Sequence, residues 1–231
     1  MGRKIVILLG HPGAGKGTQS RAVVRRLGIP HISTGDMLRE AVASNTSFGR
    51  EAKQKMDAGE LVSDEIVNGI VAERIQQENC KKGFILDGYP RTVQQAEAFN
   101  SEITKDDQLF VIEISAEAEG LTNRLVGRLM CSNCGAIYNV QSRIPKLEGI
   151  CDDCGVKLVR RSDDREDLIR ERFRTYQEET YPLVKFYKDL GVYYQVDGMR
   201  PIEEVTQKIL SIIVNGETLT PTPKGGKQSF A

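Results

Sequence analysis

The sequence lacks the features that mark two large classes of protein. Its 32 basic and 32 acidic residues leave no net charge, so it has no overall basic footprint of the kind that nonspecific nucleic-acid binding requires. No apolar run is long enough to span a bilayer, and no signal-peptide cleavage pattern follows the first apolar run, Lys4–Leu9. We therefore expect a cytoplasmic protein that binds neither nucleic acid nor a membrane.

Histidine is also scarce, which limits the available chemistry. Only His11 and His31 are present, and neither lies where it could serve an obvious serine or cysteine nucleophile. We interpret both as structural residues. The sequence therefore favours chemistry that needs no histidine as a general base.

Cysteine, in contrast, is clustered. Four of the five cysteines form two Cys-x-x-Cys motifs separated by 16 residues, and Cys80 is left over. In a reducing compartment this pattern indicates metal ligation rather than disulfide bonds. Gly135 and Gly155 follow the two motifs and allow the backbone to turn back toward a metal. The spacing predicts a closed, structural zinc site with four sulfur ligands, Cys131, Cys134, Cys151 and Cys154. A nucleic-acid-binding zinc ribbon is the alternative.

The glycine-rich residues 10–18, GHPGAGKGT, lie between the apolar run and a helical pattern. Strand, loop, Gly-Lys and helix in this order indicate a phosphate-binding loop rather than an ordinary glycine-rich turn. Backbone N–H groups and the helix start would face an anion, and Lys16 would add a mobile charge. Gly17 follows the lysine and displaces the hydroxyl to Thr18, which argues against direct ligation of Mg²⁺ by a hydroxyl.

Short apolar segments alternate with helical patterns along the 231 residues. The apolar segments lack clean alternation, as expected for strands that are covered on both faces. This order predicts an α/β fold with a parallel sheet, whose ligands gather beyond the carboxyl ends of the strands. The predicted strands are residues 4–9, 30–32, 84–87, 109–114 and 192–196. The predicted helices are residues 15–27, 34–44, 48–58, 64–78, 93–99, 116–129, 163–190 and 202–214.

Two segments interrupt this alternation. Residues 33–62 hold more helix than one crossover needs, and residues 127–164 are rich in Cys, Gly and polar residues without helical periodicity. We interpret both as insertions into a core of residues 1–32, 63–126 and 165–215. Residues 216–231 have no apolar pattern and are expected to be disordered.

Residues 87–91, DGYPR, follow a predicted strand. If this strand lies beside the first, Asp87 reaches the phosphates in the loop, where it could orient water molecules around Mg²⁺. An aspartate that caps the turn is the alternative. It does not explain why Arg91 follows so closely.

These motifs give the chain a specific resemblance. Residues 33–39 (STGDMLR), residues 87–91 with Gln95, and Asp197-Gly198 resemble the signatures of adenylate kinases, in order over nearly the whole chain. The chain is similar to the long-lid, zinc-bearing type found chiefly in bacteria. The resemblance implies a P-loop nucleoside triphosphate hydrolase-like three-layer fold, with a five-stranded parallel sheet and two mobile insertions. Residues 33–62 would be the AMP-binding domain and residues 127–164 the lid, in a monomer.

The resemblance also implies individual roles. The ATP side would comprise Gly13, Ala14, Gly15, Lys16, Gly17, Thr18, Arg128, Ile137, Tyr138 and Arg200. The AMP side would comprise Thr34, Arg39, Glu60, Leu61, Val62, Gly88, Tyr89, Pro90, Arg91, Gln95, Arg161 and Arg172. The catalytic set would be Lys16, Asp87, Arg91, Arg124, Arg161 and Arg172. Gln95 would read the adenine, and Thr34 favours AMP because kinases that prefer UMP or CMP usually carry alanine there.

Electrostatics supports arginine in these positions independently. Two nucleotides bring several negative charges into one small volume, where planar bidentate donors position and stabilise them. The acidic residues Asp163, Asp164 and Glu166 have a local explanation, because they fall in the first turn of a predicted helix with Ser162 as N-cap.

The expected reaction is reversible transfer of the γ-phosphoryl group of Mg-ATP to AMP, giving two ADP. A kinase for CMP, UMP or GMP is the nearest alternative, and a zinc-ribbon nucleic-acid-binding module with a vestigial nucleotide fold is a more distant one. A regulatory P-loop GTPase is disfavoured because the sequence has no Asn-Lys-x-Asp motif to read the base.

Overall fold

A five-stranded parallel β-sheet forms the centre of the molecule in the computed structural model, which describes residues 2–117 and 120–215. The spatial order is β2-β3-β1-β4-β8, and all neighbouring strands are parallel. The five predicted core strands are confirmed, each within one residue at either end. The strands are β1 (Lys4–Leu9), β2 (His31–Ser33), β3 (Gly83–Asp87), β4 (Gln108–Ser115) and β8 (Tyr193–Asp197).

Helices cover both faces of this sheet. They are α1 (Lys16–Leu27), α2 (Thr34–Ala43), α3 (Ser47–Asp57), α4 (Asp64–Ile75), α5 (Val93–Asn100), α6 (Leu121–Val126), α7 (Glu166–Thr175), α8 (Pro182–Asp189) and α9 (Ile202–Asn215). A short 3₁₀ helix covers Glu78–Cys80 and a π-helical turn covers Tyr176–Thr180. Among the described helices, none is both long and apolar enough to cross a bilayer.

The core strands are apolar at successive positions because each face of the sheet is buried. In β1, Ile5 and Ile7 pack in one cluster with Phe99 of α5, whereas Val6 packs in the other with Val23 of α1. Ile5, Val6 and Ile7 are all fully buried. Successive side chains point to opposite faces of a strand, so this run requires two apolar layers. The predicted α/β, three-layer architecture is confirmed.

A second, smaller sheet lies in the cysteine-rich region. Antiparallel strands β5 (Arg128–Cys131), β6 (Ile137–Asn139) and β7 (Leu158–Val159) pair in the order β6-β5-β7. We call residues 128–159 the small-sheet segment. It has its own apolar cluster, which includes Tyr138 and Leu158. The division of the chain into a core and two insertions stays a prediction.

Two predicted helices differ from the structure. Within residues 116–129 the described helix is only Leu121–Val126, because Gly127 ends it and Arg128 begins β5; residues 118 and 119 lie outside the described residues. Within residues 163–190, α7 begins at Glu166, and the π-helical turn separates it from α8, which begins at Pro182. The prediction of Ser162 as N-cap is wrong, because Arg165 occupies that position. Predicted disorder at 216–231 falls outside the described residues.

Candidate active site

A cleft of about 680 Å³ opens at the carboxyl edge of the central sheet. It is bounded by the glycine-rich loop, the turn after β3, helices α2 and α7, and the small-sheet segment. The structure brings every residue predicted for catalysis or nucleotide binding to this cleft except Tyr89. The Tyr89 side chain instead lies in the core, where its hydroxyl donates to Asn68 Oδ1 at 2.8 Å and its ring packs against Phe99.

The glycine-rich loop leads into the N-terminus of α1, with Gly15 as the N-cap. Gly13 and Gly15 have φ values of 84° and 103°, a region that residues with a Cβ rarely adopt. Lys16 Nζ donates to the carbonyls of Gly10 and His11, at 2.7 and 3.0 Å. Burial lowers the pKa of Lys16 to about 8, and the nearby charges of Arg91 and other arginines act in the same direction. An anionic ligand in the loop would therefore stabilise the charged form of Lys16.

Asp87 lies at the end of β3, beside Leu8 of β1 in register. Its Oδ2 is 3.3 Å from Nε2 of His31, which lies on the neighbouring strand β2. Burial acts to raise the pKa of Asp87, but the hydrogen bond and charge of His31, together with Lys16, lower it to about 2. A carboxylate that is charged at neutral pH therefore lies beside the phosphate-binding loop. His31 is a site residue that sequence reasoning assigned to structure alone.

The turn after β3 forms a second polar wall. Both Thr34 Oγ1 and Arg91 Nε donate to the Gly88 carbonyl, at 2.8 and 2.9 Å. Gln95 Oε1 accepts from the Arg91 backbone N–H at 2.7 Å, and its Nε2 donates to Asp64 Oδ1 at 2.7 Å. Burial, then the charge of Arg172, lowers the pKa of Arg91 to about 10. These contacts fix the Arg91 guanidinium in the cleft.

Two carboxylates pair with Arg128 and Arg172, two further arginines of the cleft. Asp164 pairs with Arg128 through two hydrogen bonds and with Arg172 Nη1 at 3.2 Å. Asp163 Oδ2 lies 3.2 Å from the same Arg172 nitrogen. The two aspartates lie just before α7, not in its first turn, so their interpretation as helix-dipole residues is wrong. Nearby guanidinium groups lower the pKa of Asp163 against the effect of its burial.

A second pairing joins α2 to the segment that precedes α7. Asp36 Oδ1 is 2.5 Å from Arg39 Nη2 and 3.6 Å from Arg161 Nη2. Burial, then the charge of Arg128, lowers the pKa of Arg161 to about 10. Two further predicted residues lie at the edge of the cleft. Arg124 Nη2 contacts Met199 Sδ at 3.6 Å, and the exposed Arg200 pairs with Asp197 at 3.4 Å.

The four clustered cysteines meet at one end of the small-sheet segment. Their sulfur atoms all lie within 4.8 Å of one another, close enough to share one metal ion. Two similar turns present them: Gly135 N–H donates to the Cys131 carbonyl at 2.8 Å, and Gly155 N–H donates to the Cys151 carbonyl at 2.9 Å. Both glycines have φ values near 70° (66° and 71°).

Comparison with known proteins agrees with the geometry. A family model described as adenylate kinase matches residues 8–192. An adenylate kinase of Archaeoglobus fulgidus is 49% identical over 210 residues, covering 90% of this chain and 97% of the relative. One of Rhizobium rhizogenes is 51% identical over 211 residues, covering 90% and 98%. One of Fervidobacterium nodosum is 47% identical over 213 residues, covering 91% and 97%.

Proposed function

The chain belongs to the adenylate kinase family, and we propose that the cleft described above carries its reaction. That reaction is the reversible, Mg-dependent transfer of a phosphoryl group from ATP to AMP, giving two ADP. One observation supports this location most: the phosphate-binding loop and the Arg91 wall face the same cleft, which seven further arginines also line. Two anionic ligands can therefore meet there end to end.

The donor nucleotide lies on the glycine-rich loop in this proposal. Loop N–H groups and Lys16 bind the β- and γ-phosphates, and the lysine exchanges its two carbonyl partners for phosphate oxygens. Arg128, Ile137, Tyr138 and Arg200 line the same side of the cleft. Tyr138 is only 1% exposed, so only a small part of this residue can contact the nucleotide.

The acceptor nucleotide lies on the other side. Arg91 and Arg39 bind its phosphate, while Thr34 and Gln95 lie against its base. Gln95 is held at both ends of its amide by the Arg91 backbone and Asp64, so it presents a fixed face. Glu60, Leu61 and Val62 complete this wall. Fixed polar groups discriminate between bases because a mismatched base leaves them unpaired.

Catalysis consists of positioning and charge stabilisation. In this proposal Arg161 and Arg172 lie between the two nucleotides, and Arg124 turns inward from the edge of the cleft to join them. The three guanidinium groups stabilise the charge that spreads over the transferred group. Mg²⁺ bound with ATP neutralises phosphate charge. Asp87 fits the role of holding its water ligands, because it is charged, buried and adjacent to the loop.

Asp36, Asp163 and Asp164 keep this basic cleft stable when it holds no phosphate. Each pairs with arginines that we assign to nucleotide binding. Phosphates then substitute for carboxylates as partners, so little reorganisation of the guanidinium groups is needed.

The cysteine cluster can hold a metal ion, and we propose that the ion is Zn²⁺. Four thiolates form a closed set of soft ligands with no position for substrate, which fits a structural role. The small-sheet segment has few buried apolar residues, so metal binding stabilises its fold. We further propose that residues 127–164 act as a lid and residues 33–62 as the AMP-binding domain, in a monomer. Closure excludes water and so prevents hydrolysis of ATP.

A coupled assay of ADP production tests this function. Protein of known metal content is supplied with ATP and with AMP, CMP, UMP or GMP in turn. We expect turnover with AMP well above that with the other three, and none after Lys16→Gln. Lys185→Gln is the matched control, because Lys185 is 84% exposed and pairs only with Asp189 on the same helix among the contacts described. A folded protein that prefers another monophosphate, or that produces no ADP, would refute the proposal.

A further inference from the structure

The small-sheet segment is held against the phosphate-binding loop and α1. Ile137 Cδ1 of β6 lies 3.0 Å from the place that a Cβ at Gly17 would occupy. On α1, Arg21 Nη2 donates to the Cys134 carbonyl at 2.5 Å. Arg21 lies five residues after Lys16 on the helix that begins in the loop. One hydrogen bond therefore joins the phosphate-binding helix to the turn that presents a cysteine ligand.

The turn is shaped to receive this guanidinium. Gly135 follows Cys134 with a φ of 66°, and a Cβ at this position would collide with Arg21 Nη2. The glycine thus serves the backbone turn and also leaves room for the arginine. Arg21 is partly buried in the contact rather than lying free on the helix surface.

A second contact lies on the same face of α1. Arg25, four residues after Arg21, has its Nη2 3.7 Å from Asp153 Oδ2 in the second cysteine turn. Both side chains are well exposed, at 73% and 39%, so this pair contributes little. Arg21 therefore makes the main contact between α1 and the small-sheet segment, and the Arg25 pair shows that α1 faces both cysteine turns.

We propose that Arg21 is a positioning residue that latches the small-sheet segment over the donor nucleotide. The hydrogen bond exists only while the segment lies against α1, so it favours the closed arrangement and slows release of ATP. Arg21 touches the cysteine turn rather than the cleft, since it is not among the cleft-lining residues. The inference rests on the proposed function, because it requires ATP to bind on the glycine-rich loop.

The expected effect follows from the chemistry of the bond. A charged donor makes a stronger hydrogen bond than a neutral one, but partial exposure weakens it. We expect Arg21→Met to speed dissociation of ATP roughly tenfold, which corresponds to about 1.4 kcal/mol. The affinity for AMP should not change, because the contacts described for Arg21 involve no residue that we assign to the acceptor side.

Stopped-flow chase of a fluorescent ATP analogue with excess ATP measures this rate. Arg26→Met is the matched control: Arg26 is on the same helix and is exposed, and its Nη2 lies 3.5 Å from Glu203 of α9. The two variants remove the same charge from the same helix, but Arg21→Met removes a contact with the small-sheet segment, whereas Arg26→Met removes only an exposed pair with Glu203. AMP affinity, measured by titration calorimetry, is the second readout.

Faster release in Arg21→Met alone, with unchanged AMP affinity, supports the latch. Equal release rates in both variants would overturn it. A loss of AMP affinity in Arg21→Met as large as its gain in ATP release rate would also overturn it, because that result indicates general loosening of the fold. Failure of the proposed function is distinguishable, because the wild-type protein would then fail to bind the ATP analogue at all.

Discussion

Replacing Asp164 with asparagine tests how much the carboxylates of the cleft stabilise the protein in the absence of nucleotide. The Asp164 side chain is 3% exposed, and its partners Arg128 and Arg172 are 13% and 20% exposed. Removing one member of a buried ion pair costs about 3–5 kcal/mol, because the remaining charge is left uncompensated. We expect the lower end, about 3 kcal/mol, because Asp163 still pairs with Arg172.

Thermal unfolding of the protein without nucleotide measures this loss. A chain of this size loses about 2–4 °C of melting temperature per kcal/mol, so Asp164→Asn should lower it by about 6–12 °C. Glu166→Gln is the control, because Glu166 and its partner Arg170 are 63% and 77% exposed. Such an exposed pair contributes about 0–1 kcal/mol at most.

A saturating linked bis-adenosine polyphosphate should reduce the deficit of Asp164→Asn. Its phosphates supply the negative charge that the variant lacks, so the difference in melting temperature from wild type becomes smaller. The reasoning would be refuted if Asp164→Asn were no more destabilising than Glu166→Gln. An unchanged deficit in the presence of the ligand would show that these arginines do not face phosphates.

Three other predictions concern the metal, the lysine and the acceptor base. Replacing Cys131 and Cys134 with serine should lower the melting temperature and leave turnover at low temperature largely intact; immediate loss of activity in a folded protein would contradict a structural metal. Burial lowers the pKa of Lys16 to about 8, and bound phosphates favour its charged form. ATP binding at pH 8 should therefore take up about half a proton and weaken as the pH rises further. Calorimetry in buffers of different ionisation heat tests this, and no proton uptake would refute it. Thr34→Ala should raise kcat/KM for CMP and UMP relative to AMP, and an unchanged ratio in the coupled assay would exclude Thr34 as a selector.

The central sheet was predictable because its signals are local. Each core strand is a short apolar run, and β1 is followed directly by the glycine-rich loop whose residue order identifies it. The helix predicted over residues 116–129 failed for the opposite reason. Leu129 fits a helical pattern, but it pairs with Tyr138 in β5 and β6, and tertiary pairing decides the conformation there.

Residue contacts in the site were less predictable than residue types. The run of residues 87–91 was assigned to the cleft as a whole, yet the ring of Tyr89 packs into the core. The role of Asp164 was hidden because Arg128 lies 36 residues away in sequence. His31 meets Asp87 only because β2 and β3 are neighbours, a pairing that the sequence alone did not establish.

Binding of a linked bis-adenosine polyphosphate tests most directly whether one cleft holds both nucleotides. Calorimetry should give one ligand per chain, and the bound ligand should exclude both ATP and AMP. Lys16→Gln and Arg91→Gln, which remove cations that we assign to the donor and acceptor sides, should each weaken binding by about 100-fold, or about 2.7 kcal/mol. The account would be contradicted if ATP or AMP still bound to the saturated protein, or if either substitution left the affinity unchanged.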